Sequence, residues 1–296
     1  MSTHHSPTVR DWLGAARPHT WGNAFAPVLA GLAATITHDD ISLPRALLAA
    51  VVAWALIIGV NFANDYSDGV RGTDDDRTGP TRITAAGVVQ PQTVKYAAFA
   101  AFAVAAAAGI TLSLLSAWWL ILIGAVCILA AWFYTGGDNP YGYRGLGEVA
   151  VFIFFGLVAV MGTEFTQSGR ISWVGLLLAI GMGAISASVN LVNNLRDIPT
   201  DTQAGKVTLA VRLGDANTRT LWLALVLTPV VVTIIIWLLG HPTVILSLVF
   251  FARLPIATVR SGAQGTKLIP VLGQVGQVMT AWAALALLTL WLPTVL

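Results

Sequence analysis

Asn61, Asn64, Asp65 and Asp68 close one strongly apolar stretch, and Asn190, Asn193, Asn194 and Asp197, extended by Asp201, close another 129 residues later. Both follow Asn-x-x-Asn-(Asp/Asn)-x-x-Asp, and positions i, i+3, i+4, i+7 and i+11 share one face of a helix. Each copy is a stripe of amides and carboxylates on a helix otherwise fit for lipid. Carboxylates at membrane depth are costly and mark ion, proton or substrate sites. Asp65 with Asp68, and Asp197 with Asp201, are spaced so that like charges repel, and a divalent cation resolves that repulsion. Oxygen-only donors favour Mg²⁺, which is commonly held by one or two carboxylates plus a substrate phosphate. Mg²⁺ beside lipid points to a phosphorylated lipid, with the two stripes around its diphosphate. The alternative for the amides, Asn61 above all, is plain interhelical hydrogen bonding.

Basic residues close to the carboxylates fit an anionic substrate. Arg71, Arg82, Arg144 and Lys206 are candidates to clamp diphosphate oxygens, as is Arg196 between Asn193 and Asp197. Arg does this bidentately and Lys as a point charge. Any one of them also serves as an anchor on the cytoplasmic side. Glu148, Tyr134 and Tyr143 bound an irregular Gly- and Tyr-rich loop, 134–148. The carboxylate could orient or deprotonate a phenolic substrate, and the rings could stack on it or face a developing cation. The alternative is an interfacial aromatic belt with a solvated acid. Trp118 and Trp119 read as such a belt, and Asp39, Asp40 and Glu164 as solvated groups on the outer side. The five histidines have no ligand spacing, and Cys127 stands alone in mid-span, so no zinc, haem or disulfide framework is expected.

The elements that must carry these residues are membrane helices. Only 10% of the 296 residues are charged and 56% are hydrophobic, against roughly 25% charged in soluble proteins. Nine apolar runs of about 17 to 22 residues are expected to span a bilayer: 21–37, 43–63, 94–115, 117–134, 148–166, 172–192, 220–239, 242–259 and 274–293. The polar N-terminus has no apolar signal-peptide region, and no basic arm for nucleic acid exists. With nine spans, 14 of the 16 Lys and Arg residues fall on one side, leaving only Arg45 and Arg170 on the other. That asymmetry puts the N-terminus and the stripes in the cytoplasm and the C-terminus outside. Four spans separate the two stripes, which implies a parallel pseudo-repeat, about 21–146 and 147–296, within one polytopic domain covering 1–296. Repeated halves and intramembrane carboxylates also describe a cation-coupled transporter. Against it, the stripes lie at cytoplasmic helix ends and next to long polar loops.

The segments NDYSDGVRGTDDDRTGPTR (Asn64 to Arg82), YTGGDNPYGYRGLGE and NNLRDIPTDTQAGKVTLAVRLG resemble, in order and spacing, the UbiA superfamily of intramembrane prenyltransferases. The family's first motif, NDxxDxxxD, is met at Asn64, Asp65 and Asp68. It departs at the last position, where Gly72 stands and Asp74 follows two residues on. The second motif, DxxxD, is met at Asp197 and Asp201. With GTD, Gly79-Pro80, YTGG and GLGE, this departure is similar to the menaquinone branch. The resemblance implies an all-α protein of the bacterial inner membrane. About nine transmembrane helices surround a lipid-open cavity, with cytoplasmic cap loops after helices 2 and 6. It implies Mg²⁺ held by Asp65, Asp68, Asp74, Asp197 and Asp201, with Asn64 and Asn193 in support. It further implies transfer from polyprenyl diphosphate to 1,4-dihydroxy-2-naphthoate, with loss of diphosphate and CO₂, giving demethylmenaquinone. Other aromatic acceptors are the alternative within the family. Tail length and oligomeric state are not legible.

Overall fold

Residues 7–72 and 82–295 are described by the structure, a computed structural model. Among them the regular elements are all helical. The short α1 (Val9–Ala16) is closed at its start by a capping box between Thr8 and Asp11. It ends at Arg17, the one non-glycine residue among those described with positive φ (52°), and the chain turns through Pro18 into α2 (Gly22–Thr35). The first long helix, α3 (Leu43–Arg71), stops at Gly72, whose φ of 72° only glycine adopts freely. Pro91 starts α4 (Pro91–Leu115), and a tight turn joins it to α5 (Leu120–Phe133).

The next rod is composite. It comprises α6 (Gly147–Val151), a π-helical segment Phe152–Met161 and α7 (Gly162–Ser168). Then follow α8 (Trp173–Gln203), α9 (Leu209–Leu238), a 3₁₀ segment Pro242–Arg253, α10 (Ile256–Arg260) and α11 (Ile269–Val295). Gly214 (φ 72°, ψ 172°) breaks α9 one turn after its start, so residues 209–213 form a short separate cap.

Among the described residues six helices are long and apolar enough to cross a membrane: Leu43–Arg71, Pro91–Leu115, Gly147–Ser168, Trp173–Gln203, Leu209–Leu238 and Gly265–Thr294. The other three expected spans appear as shorter apolar helices, Gly22–Thr35, Leu120–Phe133 and Pro242–Arg253. A 14-residue helix such as α2 or α5 reaches about 21 Å at 1.5 Å per residue, short of a core of about 30 Å. Residues expected in those spans are spent on the turns at 36–37 and 117–119 and on the break at Leu254-Pro255.

The most buried helix is α8, which packs on α2, the π segment, α9 and α11. Small residues make that approach possible. A Cβ on Gly156 of the π segment would stand 2.5 Å from the Cα of Gly183, and one on Gly181 would meet the Trp282 ring at 2.7 Å. By contrast, α5 leans on α3 and α4 and buries none of its residues.

The end of the bundle remote from the stripes corrects one expectation. Glu164 is not solvated; it is fully buried. Its Oε1 lies 2.8 Å from His38 Nε2 and accepts the Ser172 N–H at 2.9 Å. Arg170 donates to His38 Nδ1 and to the His38 carbonyl. Gly175 leaves the room for this, since a Cβ there would lie 1.7 Å from Glu164 Oε2. Asp39 and Asp40 are exposed, as are Trp118 and Trp119.

Candidate active site

Both polar stripes fall on helix. The α3 helix runs on to Arg71, so Asn61, Asn64, Asp65 and Asp68 occupy its last three turns, and α8 continues through Pro199 to carry Asp197 and Asp201. A cavity of about 610 Å³ runs between them. At its polar end stand Asn64 and Arg82 from one side and Asn190, Asn193 and Arg196 from the other, with the Tyr134 ring between. Toward the opposite end the wall turns apolar, with Leu112, Ile121, Phe155 and Val158.

The acidic residues are buried and engaged. Asp68 accepts the Tyr143 hydroxyl and lies 3.4 Å from the Arg82 guanidinium. Arg196 meets its neighbour Asp197 bidentately, with both contacts at 2.6 Å. Lys206 Nζ is 3.6 Å from Asp201 Oδ1. Asp65 is different, because its two oxygens accept the backbone N–H groups of Thr84 (2.9 Å) and Ile83 (3.2 Å).

Loop 134–148 joins the stripes. Tyr143 bonds Asp68 on α3, its carbonyl accepts the Val207 N–H beyond α8, and Arg71 and Lys206 lie over its ring at 5.6 and 5.1 Å. Arg71 also donates to the carbonyls of Thr135 and Gly137. Asn64 Oδ1 accepts the Thr135 hydroxyl at 2.8 Å. Glu148 Oε1 accepts from Asn194 (2.7 Å) and Asn190 (3.2 Å), and Asn190 in turn accepts the Tyr134 hydroxyl at 3.3 Å. Glu148 Oε2 is buried without a hydrogen-bond partner among the described residues. Burial pushes the Tyr141 hydroxyl up to about 12, so it stays a donor, to the Ala130 carbonyl.

Most of the expected site residues therefore converge. Arg144 does not: it is exposed and outside the cavity wall, because Gly145 in the left-handed conformation turns the chain beside it. Asp74 lies outside the described residues. Asn61 lines the cavity and donates to the Ala16 carbonyl (3.1 Å) and the Thr20 hydroxyl (3.0 Å). That contact fixes the turn after α1, which brings Arg17, His19 and Asn23 into the cavity wall. Sequence reasoning missed these three. The available signal was Arg17-Pro18 just ahead of the first apolar run, a step that disfavours continued helix.

No group of three or more His, Cys, Asp or Glu side chains among the described residues is gathered closely enough to enclose a metal. The donor set still fits Mg²⁺, which needs only one or two carboxylates when the substrate supplies phosphate oxygens. Of the expected ligands, Asp65 lies in the cavity wall, and Asp68, Asp197 and Asp201 are buried outside its lining.

An all-helical membrane protein with amides, carboxylates and guanidinium groups at one end of an apolar cavity is built for an anionic head on a lipid tail. The chain belongs to the UbiA prenyltransferase family, whose model matches residues 24–264. It is 53% identical over 92% of its length to 1,4-dihydroxy-2-naphthoate octaprenyltransferase of Mycobacterium tuberculosis, covering 94% of that protein. To the Escherichia coli protein of the same name it is 37% identical, over 74% of this chain and 73% of that one. In fold it is similar to a UbiA homolog from Archaeoglobus fulgidus bound to GPP and Mg²⁺, with TM-score 0.68, 14% identity, and 95% of this chain and 99% of that one covered.

Proposed function

We propose that the protein transfers a polyprenyl group from polyprenyl diphosphate to 1,4-dihydroxy-2-naphthoate, releasing diphosphate and CO₂ in a step of menaquinone biosynthesis. The carrying observation is the identity of more than half over nearly the whole chain with a relative of that name. The cavity supports the reading, since its polar end suits a diphosphate and its apolar length a prenyl tail.

In this account Arg82, Arg196 and Lys206 bind the diphosphate oxygens, Arg71 steadies loop 134–148, and Asn64 and Asn193 supply neutral donors. Mg²⁺, when bound at Asp68, Asp197 and Asp201, supplies further charge stabilisation for the leaving diphosphate. The C–O bond breaks with its electron pair on the diphosphate, leaving an allylic cation that the electron-rich ring attacks to form the new C–C bond. The apolar wall keeps water from that cation. Tyr134 and the Glu148–Asn190–Asn194 cluster hold the acceptor side, and Tyr143 aligns Asp68.

The three short apolar helices complete nine membrane segments around one cavity, in a single domain of two parallel halves. The unburied α5 leaves the cavity open toward lipid. The charge asymmetry places the stripes, the N-terminus and the cap loops in the cytoplasm. A panel of aromatic acceptors offered with farnesyl diphosphate and Mg²⁺ tests the substrate. Prenylated naphthoquinol as the dominant product supports the reading, and turnover only with another acceptor refutes it.

A further inference from the structure

Two carboxylates three residues apart on α3 have unlike surroundings. Asp68 faces side chains, Tyr143 and Arg82. Asp65, buried in the cavity wall, takes one N–H from each of two successive residues, Ile83 and Thr84. A carboxylate only accepts, and each of its two oxygens has one charge-assisted bond to this backbone.

The same stretch is held twice more. Ile83 is buried in a cluster with Phe62 and Ala63, and its carbonyl accepts the Val88 and Val89 N–H groups. Thr84 presses on Gly69, where a Cβ would come within 2.6 Å of Thr84 Cγ2. Arg82 immediately precedes these anchored residues, and its guanidinium reaches Asp68 and the cavity wall.

We propose that Asp65 is a positioning residue rather than a metal ligand: it anchors the chain at Ile83 and Thr84 so that Arg82 is delivered to the diphosphate end of the cavity. This rests on the prenyl-diphosphate reading above. Gly69 belongs to the same device, because only a residue without a side chain lets Thr84 lie against α3.

The test varies prenyl diphosphate and Mg²⁺ separately with full-length wild type, Asp65→Asn, Gly69→Ala and Asp68→Asn. Asp65→Asn and Gly69→Ala are expected to raise KM for the prenyl diphosphate about tenfold, with Mg²⁺ half-saturation at saturating substrate within about twofold of wild type. Asp68→Asn is expected to shift Mg²⁺ half-saturation by about tenfold or more. Hydrogen exchange at the Ile83 and Thr84 amides is expected to quicken in the first two variants. Gly69→Ala carries the test if Asp65→Asn does not fold. A shift of Mg²⁺ half-saturation in Asp65→Asn equal to that in Asp68→Asn, or unchanged exchange in Gly69→Ala, overturns the proposal. Wild type without prenyl transfer refutes the function instead, and the exchange measurement then still decides the role of Asp65.

Discussion

Removing the Tyr143 hydroxyl takes away a donor to Asp68 that comes from 75 residues along the chain. Tyr143→Phe is expected to lower kcat/KM for prenyl diphosphate about tenfold, or about 1.4 kcal/mol, the size of one charge-assisted hydrogen bond. Steady-state kinetics at fixed acceptor checks this. At Glu148 the size of the effect depends on which atom is lost. Glu148→Gln keeps an oxygen for Asn190 and Asn194, whereas Glu148→Ala leaves the buried Asn194 and the half-buried Asn190 without this acceptor, a cost of about 1–3 kcal/mol. The acceptor KM is expected to rise clearly more in Glu148→Ala than in Glu148→Gln, with KM for prenyl diphosphate nearly unchanged in both. The stripe residues were legible because a helical period fixes which positions share a face. The partners of Asp68 and Glu148 were not, since they arrive through loop 134–148 and from α8, and spacing carries no information about such contacts. Arg17 stayed hidden for a related reason: its place depends on a left-handed backbone and on Asn61, 44 residues later.

Helix contacts set the next level. Gly156→Ala places a methyl group 2.5 Å from the Gly183 Cα, and backbone atoms cannot step aside. A loss of about 1–3 kcal/mol is expected, read as a lower melting temperature in detergent. Gly162→Ala, where nothing lies within 4 Å, is expected to leave the melting temperature nearly unchanged. At the end remote from the stripes Glu164→Ala strips His38 and the Ser172 N–H of their acceptor and is expected to destabilise by a similar amount, about 1–3 kcal/mol. Apolar run length located every long helix, because a bilayer demands continuous hydrophobicity. It overstated α2, α5 and the 3₁₀ segment, where turn residues are themselves apolar and extend the run. The π segment FIFFGLVAVM is apolar on all sides, so no periodicity distinguishes it from an α-helix. Glu164 was misplaced because position near a helix end says nothing about Gly175, which makes room for it.

Across the whole molecule, one cavity joins a charged end to an apolar one, and both stripes converge on the charged end. In the proposed function two half-sites on different helices act on one diphosphate, so damage to either alone is expected to disable the enzyme. The direct measurement is prenyl transfer from labelled farnesyl diphosphate to 1,4-dihydroxy-2-naphthoate by purified protein. It is run with and without a chelator, alongside Asp68→Asn and Asp197→Asn. The account predicts prenylated naphthoquinol from wild type, restored after chelation by Mg²⁺, with kcat/KM lower by about a hundredfold or more in each variant. Turnover that survives chelation, or that needs only one of the two aspartates, would contradict it.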